Sequence, residues 1–254
     1  MFLVFPDSDA IARHLSARLV ELIRNDPQAV LGLATGGTME PIYARFVQQA
    51  KDSKLDVSRV SSFNLDEYVG LSAVHPQSYN HYMHQHLFNH LAFDEARLRL
   101  PDGLSVELEQ HCQDYSDAIA AHGGVALQLL GVGTNGHIGF NEPGTPFDSR
   151  THVVALSERT RVDNSRFFDS MDQVPASAIT MGIHDILSAR EIVLVVTGEH
   201  KARTMLNYQN GGITEALPFT ALKRHANVHI LLDEAAASLL DDQACRRVVQ
   251  PTCA

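Results

Sequence analysis

Apolar residues along this 254-residue chain recur in two alternating rhythms. Short runs with almost no polar interruption, Ala29–Ala34, Val125–Leu130, Ile192–Val196 and Val228–Leu232, have the length and continuity of strands covered on both faces. Between them apolar positions fall three and four apart. Ile11, Leu15, Leu19, Leu22 and Ile23 form one such stripe, with Asp7 or Ser8 placed to cap a helix and Asn25-Asp26-Pro27 to stop it. The same reading predicts strands at Met1–Phe5 and Arg59–Leu65 and shorter apolar pieces at Val153–Leu156 and Ala178–Met181. It predicts further helices near Glu40–Ala50, Ser105–His122, Ala202–Tyr208, Ala221 and Glu234–Leu240. Strands alternating with helices imply an α/β fold: one domain over residues 1–254, built on a mostly parallel open sheet with helices on both faces, Rossmann-like. Residues 157–175 are polar and lack a firm period, the character of a lid segment over a site on a rigid scaffold.

Composition narrows the partners. A 44% hydrophobic chain of this length can bury a sizeable core. Its 20 Lys plus Arg against 30 Asp plus Glu give a formal charge of −10, which argues against nucleic acid or an anionic membrane as partner. The start, Met1-Phe2-Leu3-Val4-Phe5-Pro6, has no basic flank and reads as a strand rather than a signal peptide. No apolar run reaches the roughly 18 residues that span a bilayer. Cys112, Cys245 and Cys253 are far apart with no C-x-x-C spacing, so neither a disulfide framework nor a zinc site is indicated and a reducing cytoplasm is expected. His75, His81, His84, His86 and His90 crowd one stretch but never make H-E-x-x-H, so no metal is expected there.

Chemistry gathers where strands give way to glycine. Thr35-Gly36-Gly37-Thr38 lies between a strand and a helix, where backbone N–H groups and the helix dipole can hold phosphate, though a Gly-Gly turn is also ordinary punctuation. The G-x-x-x-x-G-K-[ST] spacing of a Walker A loop is absent. Asp66 and Glu67 end the third strand, and because side chains alternate along a strand only one of the two is expected to face a ligand. Lys201 sits at the strand-to-helix turn after Val196. Mid-chain, Leu130 enters a loop containing Gly131, Gly133, Gly136 and Gly139 that presents Asn135, His137 and Glu142. Three of those glycines match G-x-G-x-x-G, the dinucleotide fingerprint, but Gly139 and Pro143 interrupt the long helix that a pyrophosphate cradle needs. A carboxylate, a His–Glu pair and cationic or N–H donors at strand ends suit a sugar phosphate better, with proton transfer by the acid–base groups and the phosphate as anchor.

At these residues the chain strongly resembles the glucosamine-6-phosphate deaminase (isomerase) family. The match runs through Leu31–Thr38, Asn64–Leu71, Gly133–Pro143, Thr160–Phe168 and Gly198–Ala202, in that order. The related 6-phosphogluconolactonases share the glycine-rich loops, but their His is typically followed by Thr-Ala-Ser, unlike Ile138–Glu142 here, which makes a lactonase the runner-up and a non-catalytic sugar-phosphate sensor the other alternative. The resemblance implies a cytoplasmic enzyme, monomer or homo-oligomer, that needs no cofactor. It would be a hydrolase that also isomerises, converting D-glucosamine 6-phosphate to D-fructose 6-phosphate and ammonia in N-acetylglucosamine catabolism. It implies Asp66 as the base at C2, His137 with Glu142 and Asn135 in ring opening, and Gly36, Gly37, Thr38, Arg161 and Lys201 on the phosphate. Asn135 departs from members that carry Asp there. His152 and Val154 stand where effector-activated members carry basic residues, and those members extend further at the C-terminus, so weak or absent activation by N-acetylglucosamine 6-phosphate is expected.

Overall fold

The computed structural model describes residues 2–165, 168 and 170–248. In chain order its strands are β1 (Phe2–Phe5), β2 (Val30–Leu33), β3 (Ser61–Asn64), β4 (Asp66–Tyr68), β5 (Leu98–Arg99), β6 (Leu127–Leu130), β7 (His152–Ala155), β8 (Ser177–Thr180), β9 (Ile192–Val196), β10 (Val228–Asp233) and β11 (Cys245–Arg247). Its α-helices are α1 (Ser8–Asn25), α2 (Glu40–Asp52), α3 (Tyr79–His86), α4 (Leu108–Ala121), α5 (Glu158–Ser165), α6 (Ile183–Leu187) and α7 (Ala202–Asn210). Asp7 caps α1, its side chain accepting from Ala10 N–H at 2.7 Å, and the apolar stripe Ile11–Leu15–Leu19–Ile23 is buried.

Eight strands form one sheet in the order β11-β1-β10-β9-β6-β2-β3-β5, and every pairing in it is parallel. Both faces are covered, so β2, β6 and β9 are buried at every position, which is why they read as apolar runs broken only by Gln128. From β1 the chain moves one way to β2 and β3, then returns to β6 and continues to β9 and β10. Right-handed crossovers therefore place α1 and α2 on one face and α4 and α7 on the other, and α1 packs directly on α2. The direction reverses between β2 and β6, opening a crevice at their carboxyl ends, where open α/β sheets bind ligands.

A second sheet, β4-β8-β7, is antiparallel and was not expected. The predicted strand Arg59–Leu65 is in fact a four-residue β3, after which Leu65 turns the chain into β4, so Asp66 leaves the large sheet for the small one. Leu65 is pinned at the junction: its N–H donates to Leu33 O at 3.0 Å, and its carbonyl accepts from Met181 N–H at 2.6 Å. The expected helix near Ala221 is present in 3₁₀ form, Pro218–Arg224, whereas in the second case an expectation is corrected: Glu234–Leu240 is a run of turns rather than a helix. Asp233 explains the second case, because its carboxylate binds both Ala236 N–H (2.7 Å) and Gly198 N–H (2.9 and 3.1 Å), fixing a tight turn where a seven-residue helix would have little to offset its nucleation cost.

Candidate active site

Because β2, β6 and β9 are parallel neighbours, the turns that follow them open at the same edge. Residues 35–38 after β2, the loop after β6 and the turn before α7 enclose a cavity of about 420 Å³. Gly36, Gly37, Thr38, Asp66, His137 and Lys201 line it, joined by Thr134, Tyr79, Phe140 and Thr160. Each turn is tied to its neighbours. Tyr82 OH donates to Gly36 O (2.9 Å), Thr204 Oγ1 donates to Thr134 O (2.8 Å), and Phe219 N–H donates to Gly136 O (3.0 Å). The 35–38 turn runs directly into the thirteen-residue α2, so its backbone faces the cavity at the positive end of a helix dipole.

The two adjacent carboxylates separate as strand alternation requires. Glu67 turns away and caps α3, accepting from the N–H groups of Tyr68 (2.8 Å), Tyr79 (3.0 Å) and Asn80 (2.9 Å). Asp66 faces the cavity at 7% exposure. Behind it Tyr68, Tyr79 and Phe140 pack with ring centroids 5.0–6.1 Å apart. This burial, with the charge of Glu67 next door, pushes the Asp66 carboxyl up to about 8.

The central loop owes its shape to its glycines. A Cβ on Gly133 would overlap the His137 ring, and one on Gly139, where φ is +58°, would stand 2.9 Å from Thr180 Oγ1 and 3.3 Å from Asp66 Oδ2. Glycine thus lets the His137 loop close against the Asp66 strand. Within the loop, Asn135 Oδ1 accepts from His137 N–H (3.2 Å), and Asn135 Nδ2 donates to Glu142 Oε2 (2.7 Å). Glu142 Oε1 lies 3.8 Å from His137 Nδ1 and accepts from Thr160 Oγ1 at 2.5 Å.

Of the residues singled out in the sequence, Arg161 alone of the phosphate set is not on the cavity wall. Its Nη2 donates to Met171 O (3.3 Å) and Val174 O (3.1 Å), inside the segment that carries it. Arg166 and Phe167 of the matching motif, and Cys253, lie outside the described residues. Cys112 and Cys245 are free thiols. The histidine-rich stretch forms α3 and its C-terminal turn, where His84 Nδ1 meets Asn89 Oδ1 (3.2 Å) and His90 Nε2 meets Gln85 O (2.8 Å); among the described residues no cluster of metal-ligating groups is assembled. No helix among them is long and apolar enough to cross a membrane. Sequence reasoning gave no role to Tyr79 or Thr160. For Thr160 a signal existed, the cap spacing Ser157-x-x-Thr160, since Ser157 Oγ accepts from Thr160 N–H at 3.1 Å.

An acidic α/β protein with a glycine turn, a buried carboxylate and a His–Glu pair at one switch point has the makings of a sugar-phosphate enzyme. The chain belongs to the family described as glucosamine-6-phosphate isomerases/6-phosphogluconolactonase, whose profile matches residues 7–230. Within it, the chain is 46% identical to the glucosamine-6-phosphate deaminase of Shouchella clausii (strain KSM-K16) over 236 residues, 93% of this chain and 96% of that one. It is 49% identical to that of Rhodopirellula baltica over 241 residues, 95% of this chain and 96% of that one. A solved monomeric glucosamine-6-phosphate deaminase superposes with a TM-score of 0.91 at 42% identity, covering 94% of this chain and 100% of that chain. A 6-phosphogluconolactonase from Trypanosoma brucei shares the fold at a TM-score of 0.77 and 18% identity, covering 94% of this chain and 98% of that one. Of these, the relatives above 40% identity are all named deaminases, and the hydrolase label expected from sequence finds no support in those names.

Proposed function

We propose that the protein converts D-glucosamine 6-phosphate and water to D-fructose 6-phosphate and ammonia, in the cytoplasmic breakdown of N-acetylglucosamine. The observation that carries this is the convergence of Asp66, His137 and Lys201 on one cavity in a chain so similar to deaminases.

The 35–38 turn and Lys201 hold the phosphate, by N–H groups and by charge. His137 moves the proton of the anomeric hydroxyl to the ring oxygen, opening the ring to an aldehyde at C1. Glu142 orients the imidazole and stabilises its cationic form, and Asn135 Nδ2 holds Glu142 by a hydrogen bond rather than a charge. The proton on C2, now next to a carbonyl, passes to Asp66 and returns at C1, while a proton of the amine passes to the C1 oxygen. That leaves an imine at C2, to which water adds as ammonia departs. Arg161 joins the phosphate by exchanging its two carbonyl partners for it, which a shift of α5 would supply.

One assay tests the reading. Ammonia and fructose 6-phosphate should appear from glucosamine 6-phosphate without nicotinamide. Acid release from 6-phosphogluconolactone in their place would make it a lactonase, and ligand-induced thermal stabilisation with no ammonia would make it a sensor.

A further inference from the structure

Glu142 is held at both oxygens, by two different elements. Asn135 reaches Oε2 from the same loop, at 2.7 Å, while Thr160 reaches Oε1 from α5, at 2.5 Å. His137 Nδ1 faces that same Oε1 from 3.8 Å, just beyond hydrogen-bond reach. A hydroxyl has one proton to give. With Glu142 ionised, the proton of Thr160 points at the carboxylate, so Ser157 Oγ, 2.9 Å from Thr160 Oγ1, is the donor of that pair. Thr160 N–H in turn donates to Ser157 Oγ at 3.1 Å. The three bonds run in one direction and end on Glu142, an arrangement in which each polarises the next. Thr160 is 9% exposed and sits on the cavity wall, whereas the next residue, Arg161, bonds to carbonyls of its own segment.

We propose that Thr160 is a positioning residue for ring opening: its hydroxyl fixes the rotation of the Glu142 carboxylate so that Oε1 faces His137. Without it Glu142 hangs from Asn135 by Oε2 and can turn Oε1 aside, and the imidazole loses its charge partner at the moment it becomes cationic. The same contact makes the orientation of Glu142 depend on where α5 lies. This role rests on the deaminase reading above. The hydrogen bonds of Thr160 go to Glu142 and Ser157, so its loss falls on turnover rather than on substrate capture.

The test measures ammonia release from glucosamine 6-phosphate by the wild type, Thr160→Val and Thr160→Ser, all as full chains with matched melting temperatures. Removing one hydrogen bond to a charged group should lower kcat of the Val variant about 10- to 100-fold. KM should stay within about threefold, since the Thr160 hydroxyl is already engaged by Glu142 and Ser157, and the Ser variant should recover most of kcat. Should Val disturb α5, Thr160→Ala gives the same comparison. Wild-type kcat in the Val variant, a loss confined to KM, or a Ser variant as slow as Val would overturn the assignment while leaving the deaminase reading intact. No ammonia from the wild type would overturn that reading, and this role with it.

Discussion

Asp66 and Glu67 are chemically near-identical neighbours with different tasks, and the difference is one of solvation. Glu67 has three backbone N–H groups in place of water. Asp66 has an aromatic wall behind it and a carboxylate beside it, which raises its pKa to about 8. A base works in its ionised form, so the competent fraction of free enzyme grows as pH rises towards that value and levels off above it. The expected kcat/KM therefore climbs about tenfold per pH unit through the neutral range and flattens near pH 8, with no such limb in kcat/KM near pH 4, the ordinary carboxylate range. A pH profile already flat from pH 5 upwards would mean that the Asp66 carboxyl is not raised in the free enzyme. That only one of the two carboxylates faces the cavity was legible from strand alternation, and the family resemblance pointed to Asp66. Where the Arg161 guanidinium points was not, since a long side chain chooses among rotamers by local partners that no sequence pattern shows.

At the level of elements, the site is a product of strand order. Three turns far apart in the chain, at 35–38, 131–139 and 197–201, meet because β2, β6 and β9 lie side by side and run the same way. Most of the buried strands and the glycine turns could be read directly, because covered parallel strands are mostly apolar, β3 with Ser61, Ser62 and Asn64 being the exception. The small antiparallel sheet could not: its strands have three or four residues each, come from three distant places, and β4 follows β3 after a single residue. The Glu234–Leu240 turns were misread as a helix because propensity favours one, while the competing claim of the Asp233 carboxylate is tertiary. Two predictions belong here. Gly133→Ala should displace the His137 ring and depress kcat while leaving a folded protein destabilised by about 1–3 kcal/mol, the usual range for overpacking; circular dichroism melts alongside kinetics check it, and unchanged turnover would show that the loop does not set the ring. Lys201→Ala should raise KM about 10- to 100-fold, the worth of a charge-assisted hydrogen bond, with a smaller change in kcat. Equal losses on a substrate analogue lacking phosphate would contradict a phosphate role.

For the whole molecule, a chain of net charge −10 can take an anion because the fold, not the composition, gathers groups of positive character at one edge: backbone N–H groups, the N-terminal end of α2 and Lys201. His152 opens β7 with its Nδ1 on Arg150 O at 2.8 Å, and Val154 follows two positions on, so this strand presents no cationic pair to a second phosphate. Addition of N-acetylglucosamine 6-phosphate should therefore leave the half-saturating substrate concentration unchanged; a several-fold fall would show an effector site elsewhere. The claim on which all of this depends is that the cavity is a deaminase site in which Asp66 carries the proton from C2 to C1. It is tested most directly by ammonia and fructose 6-phosphate release from glucosamine 6-phosphate by wild type and Asp66→Asn side by side. The account predicts equimolar products from the wild type and a turnover about 10²- to 10⁴-fold lower in the variant at similar KM, the span of general-base catalysis. Turnover within a few-fold of wild type in the variant would contradict it.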